Sequence, residues 1–202
     1  MTPIHFWFEF ASTYSYPAAM RVERVAAGAG VPLVWRPFLL GPIFAAQGWN
    51  DSPFNIYPAK GRYMWRDLER ICEREGIPMR RPSRFPQNGL LAARVAFLAG
   101  TEPWLPDFVR AVYRANFAQD RDISDTGTIG GILESLGQKA GDVMERAASP
   151  ENKERLRLQE EEAIRRGIFG APSFTVGEEL FWGNDRLEDA IAYQQRTAAT
   201  AR

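Results

Sequence analysis

Strand-forming sequence is confined to the two ends of this chain, and the long stretch between them reads as helix. That split constrains the fold more than any other feature. Residues 4–10, IHFWFEF, are dense in aromatic and β-branched side chains, and their length suits a buried strand ending near the small pair Ala11-Ser12. A helix follows, with Ser12 or Thr13 as its cap, Pro17 in its first turn, and Tyr16, Ala19, Met20, Val22, Val25 and Ala26 forming an apolar face until Gly28 and Gly30 stop it. The proline-bounded run VPLVWRPF is a second strand. A connection through a helix implies a parallel pair with a right-handed crossover.

The passage LGPIFAAQGWNDSPFNIYPAKG reads as an unusually long loop and so as a candidate functional segment. Helices are predicted beyond it at 62–75, 88–99, 104–118, 126–136 and 150–166, so that 60–166 is wholly helical. Strand character returns only after Gly167. Phe169-Gly170-Ala171-Pro172 is turn material, 173–176 is a short strand, and 177–179 turns into Leu180-Phe181-Trp182 as a hairpin. A final helix over 186–196 takes Asn184 or Asp185 as N-cap. The order βαβ, helical block, ββα is an α/β, thioredoxin-like arrangement. It assigns residues 1–39 plus 167–202 to a thioredoxin-like domain and 40–166 to an inserted all-helical domain.

Charge and cysteine content exclude several function classes. The chain of 202 residues carries 25 Lys+Arg against 25 Asp+Glu, which argues against a nucleic-acid grip or a basic membrane face. Its single cysteine, Cys72, forbids an internal disulfide, a Cys-x-x-Cys redox centre or a zinc site of several thiolates, and with one histidine no metal is expected. The segment MTPIHFWFEF has no cluster of positive charge and is interrupted at Glu9, and no apolar run approaches the roughly 20 residues of a membrane span. The expectation is a soluble, cytoplasmic protein without a nucleic-acid or membrane partner.

Three junctions carry candidate chemistry. At Ser12-Thr13-Tyr14-Ser15, where a thioredoxin-like fold holds its redox cysteines, both are serine. Ser12 is therefore either an ordinary cap or a donor to a thiolate brought in by a ligand, assisted by the helix dipole. At Gly170-Ala171-Pro172-Ser173, Pro172 is either an ordinary trans turn residue or a cis proline presenting the backbone of Ala171 to an extended ligand. At Gly183-Asn184-Asp185-Arg186, the residues either cap a helix or receive an amino acid, Asp185 taking its ammonium and the backbone N–H groups its carboxylate.

Taken together, FWFEFASTYSYPA, WRPFLLGPIF, PAKGRYMWRDLER, RFPQN and GIFGAPSFTVGEELFWGNDRLEDA resemble the 2-hydroxychromene-2-carboxylate isomerase family. That family is a relative of kappa-class glutathione transferases within the disulfide-oxidoreductase-like thioredoxin superfamily. The resemblance spans nearly the whole chain and implies a glutathione-dependent isomerase, interconverting a cyclic hemiketal and an open-chain benzylidenepyruvate-like keto acid, with a small aromatic keto acid as substrate and a homodimer as assembly. It implies that Ser12 hydrogen-bonds the glutathione sulfur, that Ala171 before Pro172 pairs with the cysteinyl backbone, and that Asn184 and Asp185 hold the γ-glutamyl group. Lys60 matches the lysine approaching glutathione from the helical domain. Asn50 matches the loop asparagine before it, with Asp51 and Asn55 as alternatives in register, and Asp67 is a further match. Thr13 stands where the family has proline, restoring a backbone donor and a second hydroxyl. A kappa-like transferase or peroxidase and a non-catalytic thioredoxin-like binding protein are the alternative readings.

The remaining residues have plainer readings. Cys72 is a small buried hydrophobe, His5 is structural, and Phe44, Trp49, Phe54, Trp65 and Phe85 are core, or in part the wall of an aromatic pocket. Glu160-Glu161-Glu162 with Arg165-Arg166 reads as a solvated helix face.

Overall fold

A computed structural model describes residues 2–200. The outermost positions of the thioredoxin-like assignment, 1, 201 and 202, lie outside the described residues. Strand β1 (Ile4–Phe8) leads through helix α1 (Ser15–Gly28) to β2 (Leu33–Pro37), and the hairpin of β3 (Ser173–Val176) and β4 (Glu179–Trp182) completes a sheet of order β2-β1-β3-β4. The β1–β2 pair is parallel, with Phe6 opposite Trp35, while β3 runs antiparallel to both β1 and β4. Gly177, at φ 59°, makes the hairpin turn that an L side chain would resist.

Alternation along β1 divides its side chains between two cores. Phe6 stacks on Phe174 of β3 at 5.3 Å and meets the edge of Trp35. Phe8 and Phe10 continue that face into Tyr113, whose ring lies 5.3 Å from Phe10. Trp7 points the other way and joins Phe38, Ile43, Ala163 and Ile168. The larger cluster runs without interruption from the sheet into the helical block, including Met64, Trp65, Phe108, Tyr113 and Phe117. Truncating one of its buried aromatics to alanine costs about 3–5 kcal/mol, because the transfer free energy is lost and a cavity remains.

The helical block holds α2 (Leu40–Ala46), α3 (Pro53–Ile56), α4 (Pro58–Glu75), α5 (Leu90–Ala99), α6 (Leu105–Phe117), α7 (Thr126–Ser135), α8 (Ala140–Ala147) and α9 (Pro150–Arg165). Two differences from the sequence expectation stand out. The presumed loop contains α2 and α3, and α4 begins four residues early at Pro58, because Pro53 and Pro58 occupy first-turn positions, where a missing N–H costs nothing. Helix α8 was also unforeseen; its buried Ala140, Val143 and Ala147 lie at helical spacing, although Gly137 and Gly141 suggest a break. After β4, a 3-10 turn (Asn184–Arg186) leads into α10 (Leu187–Thr200).

Candidate active site

The C-terminal end of β1, the start of β3 and the end of β4 lie side by side, since Trp7 pairs with Ser173 and Ser173 with Trp182. This register brings the three candidate junctions to one end of the sheet. Ser12 crosses between two of them: its Oγ donates to the Ala171 carbonyl at 2.9 Å and accepts from the Ser15 amide at 3.3 Å. The N-cap position itself is Tyr14, whose side chain makes no cap bond, so Ser12 is not the N-cap, although its hydroxyl accepts from one amide at the helix start. Helix α1 starts at Ser15 rather than at Thr13, and its 14 residues aim the positive end of their dipole at this point with no acidic side chain in the first turn.

The Ala171–Pro172 peptide bond is cis. The Pro172 carbonyl accepts from the Gly183 amide at 2.9 Å, which ties the proline loop to the segment carrying Asn184 and Asp185. The capping role expected for those two residues is not what the structure shows: neither side chain caps the turn. Asn184 is 95% buried instead, because Arg21 of α1 occupies it. Arg21 Nε donates to Asn184 Oδ1 at 3.1 Å, and its terminal nitrogens reach the Asn184 carbonyl and the Glu188 carboxylate. Asp185 is exposed, with Arg186 3.5 Å from its carboxylate.

Tyr14 joins the helical block to this end of the sheet. Its hydroxyl donates to Asp67 of α4 at 3.0 Å, and its ring meets Phe54 at 6.2 Å. Burial, the Asp67 hydrogen bond and the nearby charges of Asp67 and Asp185 hold its phenol well above the ordinary tyrosine range. Lys60 lies seven residues before Asp67, two turns away on the same face of α4 and about 10 Å along its axis. Its ammonium sits 4.7 Å over the exposed ring of Tyr57. Of the three candidates in the preceding loop, Asp51 and Asn55 hydrogen-bond each other, and Asn55 also donates to the Phe85 carbonyl at 3.1 Å. Asn50 is exposed and its side chain has no hydrogen bond among the described residues. The structure thus joins Ser12 to Ala171 and Pro172 to Gly183, the residue before Asn184 and Asp185, whereas Asn50 and Lys60 lie in the helical block with no hydrogen bond or ion pair to any of these among the described residues.

Thr13 and Ser15 are buried, so neither offers a second hydroxyl to a ligand. Two buried acids also belong to this region. Glu9 is 6% exposed, its Oε2 accepts from the Ala11 amide at 3.0 Å, and burial pushes its carboxyl up to about 7. Glu160 is no part of a solvated face. It is buried against the Leu39 amide, and burial, with the nearby Glu9 charge adding to it, pushes its carboxyl up to about 8. Cys72 is buried and its thiol is pushed up to about 12, while His5 accepts from Arg36 at 3.0 Å. Trp65 is core, but Phe44, Trp49, Phe54 and Phe85 are only partly buried. Among the described residues there is no cluster of metal-ligating side chains, and no helix is long and apolar enough to cross a membrane.

The fold and this end of the sheet define a thioredoxin-like protein whose helical insertion interrupts the βαβ–ββα core. Residues 3–193 match the model of the DSBA-like thioredoxin domain, and the chain belongs to that family. Within it, the chain is 31% identical over 192 residues to 2-hydroxychromene-2-carboxylate isomerase of Sphingobium xenophagum, covering 94% of this chain and 96% of that one. The solved structure of a 2-hydroxychromene-2-carboxylate isomerase superposes with a TM-score of 0.85 at 26% identity, covering 98% of both chains. Human glutathione S-transferase kappa 1 is 26% identical over 201 residues, covering 92% of this chain and 87% of that one. The resemblance read from the sequence holds, and the kinship supports an isomerase.

The donor set fits glutathione. A hydroxyl at a helix N-terminus suits a thiolate, a backbone edge at Ala171 suits the cysteinyl peptide, and the exposed carboxylate of Asp185 beside Asn184 suits an amino-acid head group.

Proposed function

We propose that the chain is a glutathione-dependent isomerase of the 2-hydroxychromene-2-carboxylate type, interconverting a cyclic hemiketal and an open-chain benzylidenepyruvate-like keto acid. The observation that carries this reading is Ser12 Oγ poised 2.9 Å from the Ala171 carbonyl at the head of α1, with the chain's single cysteine buried elsewhere. The protein brings no nucleophilic thiol of its own to this point. Glutathione, when bound, supplies that thiolate as a reusable nucleophile.

Each residue then has a definite task. Ser12 releases its hydrogen bond to Ala171 and donates to sulfur, favouring the thiolate together with the α1 dipole. Asn184 and Asp185 hold the γ-glutamyl end, and Ala171 before Pro172 orients the cysteinyl backbone. Lys60 and Asn50 close over the ligand from the helical block, and the Lys60 ammonium stabilises enolate charge as it develops. Tyr14 and Phe54 form an aromatic wall for a small aromatic keto acid. In this reading residues 1–39 with 167–202 hold the cofactor, 40–166 cover the substrate, and the enzyme works as a homodimer in the cytoplasm.

The test is a spectrophotometric assay of 2-hydroxychromene-2-carboxylate with and without reduced glutathione, with free thiol counted after many turnovers. Isomerisation that needs glutathione and leaves the thiol count unchanged is expected. The 26% identity to human glutathione S-transferase kappa 1 favours a second reading, a kappa-like transferase or peroxidase. Stoichiometric loss of thiol during turnover would establish it in place of the isomerase.

A further inference from the structure

Arginine 21 is the one charged side chain that α1 buries, on the face that also carries Ala18 and Val22. A buried guanidinium is costly unless its donors are used, and Arg21 uses them on one target region. Nε donates to Asn184 Oδ1 at 3.1 Å, one terminal nitrogen donates to the Asn184 backbone carbonyl at 2.5 Å and to Glu188 Oε2 at 3.2 Å, and the other pairs with Glu188 Oε1. A guanidinium has donors and no acceptor. The atom of Asn184 facing it must therefore be the amide oxygen, and the amide nitrogen is turned away from α1 by elimination.

That nitrogen has no hydrogen-bond partner among the described residues, and it is not among their sealed, unpartnered polar atoms. An NH2 group held in this way on a residue 95% buried is a donor fixed in orientation that keeps some access to solvent. One residue on, the exposed carboxylate of Asp185 is an acceptor. Donor and acceptor on adjacent residues match the two ends of an α-amino-acid zwitterion.

We propose that Arg21 is a positioning residue that locks the Asn184 amide so that Nδ2 receives the α-carboxylate of the γ-glutamyl group, while Asp185 takes its ammonium. This rests on the glutathione reading above and deepens it by naming the part of the ligand that Arg21 governs. Arg21 does not touch the ligand; it acts through Asn184. With Arg21 removed the amide is free to rotate, and half of its orientations present an oxygen to the carboxylate.

The experiment compares two probes by calorimetry: reduced glutathione, and 4-aminobutyryl-cysteinyl-glycine, which lacks only the γ-glutamyl α-carboxylate. Wild type should prefer glutathione by about tenfold or more, the effect of a hydrogen bond to a charged group. Arg21→Met should lower that preference at least threefold while shifting affinity for the analogue less than twofold. Asn184→Asp keeps the oxygen facing Arg21, and with it the clasp on α1, but places a second anionic oxygen towards the ligand. It should reverse the preference, and it keeps the proposal testable should Arg21→Met fail to fold. A preference unchanged in both variants, or equal weakening of both probes, would overturn the role of Arg21 while leaving the glutathione site standing. Absence of glutathione binding to wild type would overturn the site itself, and this role with it.

Discussion

Glu9 gives the most quantitative prediction. It follows three aromatic residues of β1, is 6% exposed, and has its carboxyl pushed up to about 7 from the ordinary glutamate value of 4.5. The cause is burial, only partly offset by the Ala11 and Ser12 backbone. Between 4.5 and about 7 the unfolded chain has released this proton and the folded chain has kept it, so folding binds a proton and stability falls as pH rises. At about 1.4 kcal/mol for each tenfold change in proton affinity, the stability lost across that interval is about 3 kcal/mol. Glu9→Gln is neutral at every pH and keeps an acceptor for the Ala11 amide, so it removes this dependence. Urea unfolding of both proteins should be followed from pH 4.5 to 8. The stability of wild type minus that of the variant should fall by about 3 kcal/mol across the interval, and then level off. Taking the difference cancels contributions common to both, such as His5, whose lowered pKa acts in the opposite direction. A difference flat from pH 4.5 to 7 would show that Glu9 ionises in the folded protein as it does in water, and would refute the burial argument.

Three further outcomes follow. Ser12→Ala should cost about 1 kcal/mol of stability through the lost hydrogen bond to the Ser15 amide and should raise the pKa of enzyme-bound glutathione thiol, read from thiolate absorbance; an unchanged thiol titration would remove Ser12 from the chemistry. Gly61→Ala would place a Cβ 2.1 Å from the backbone oxygen of Phe54, so unfolding should show a loss of about 3 kcal/mol, and equal stability would mean that α3 moves freely against α4. Cys72→Ala should leave turnover unchanged, because the thiol is buried and pushed up to about 12, and native protein should resist thiol reagents until unfolded; rapid labelling of the folded protein would contradict this.

The strands were legible because their signals are local. IHFWFEF and SFTVGEELFW carry β-forming side chains bounded by turn residues, and β3 begins and ends where the sequence places it. The short helices were not legible: Pro53 and Pro58 look like breakers until one knows that they start a helix. At the site, residue types at the three junctions pointed to Ser12, Ala171, Pro172, Asn184 and Asp185, and strand register brings these together. What the sequence hid are partners made by tertiary packing. Arg21 contacts a residue 163 positions away, and Glu160 meets Leu39 across 121 positions. A signal was nevertheless present for Arg21 and for the buried Glu9: Arg21 interrupts an apolar helix face, and Glu9 interrupts an aromatic strand. An ionisable residue inside an apolar pattern is costly unless it has a partner, which makes the partner the thing to look for.

The central claim is that the end of the sheet formed by Ser12, Ala171–Pro172 and Asn184–Asp185 is a glutathione site. Calorimetric titration of reduced glutathione into wild type and Asp185→Ala tests it most directly. Millimolar or tighter binding to wild type, weakened about tenfold or more by the loss of the carboxylate, is the predicted result. No heat and no thermal stabilisation of wild type by glutathione would contradict the claim.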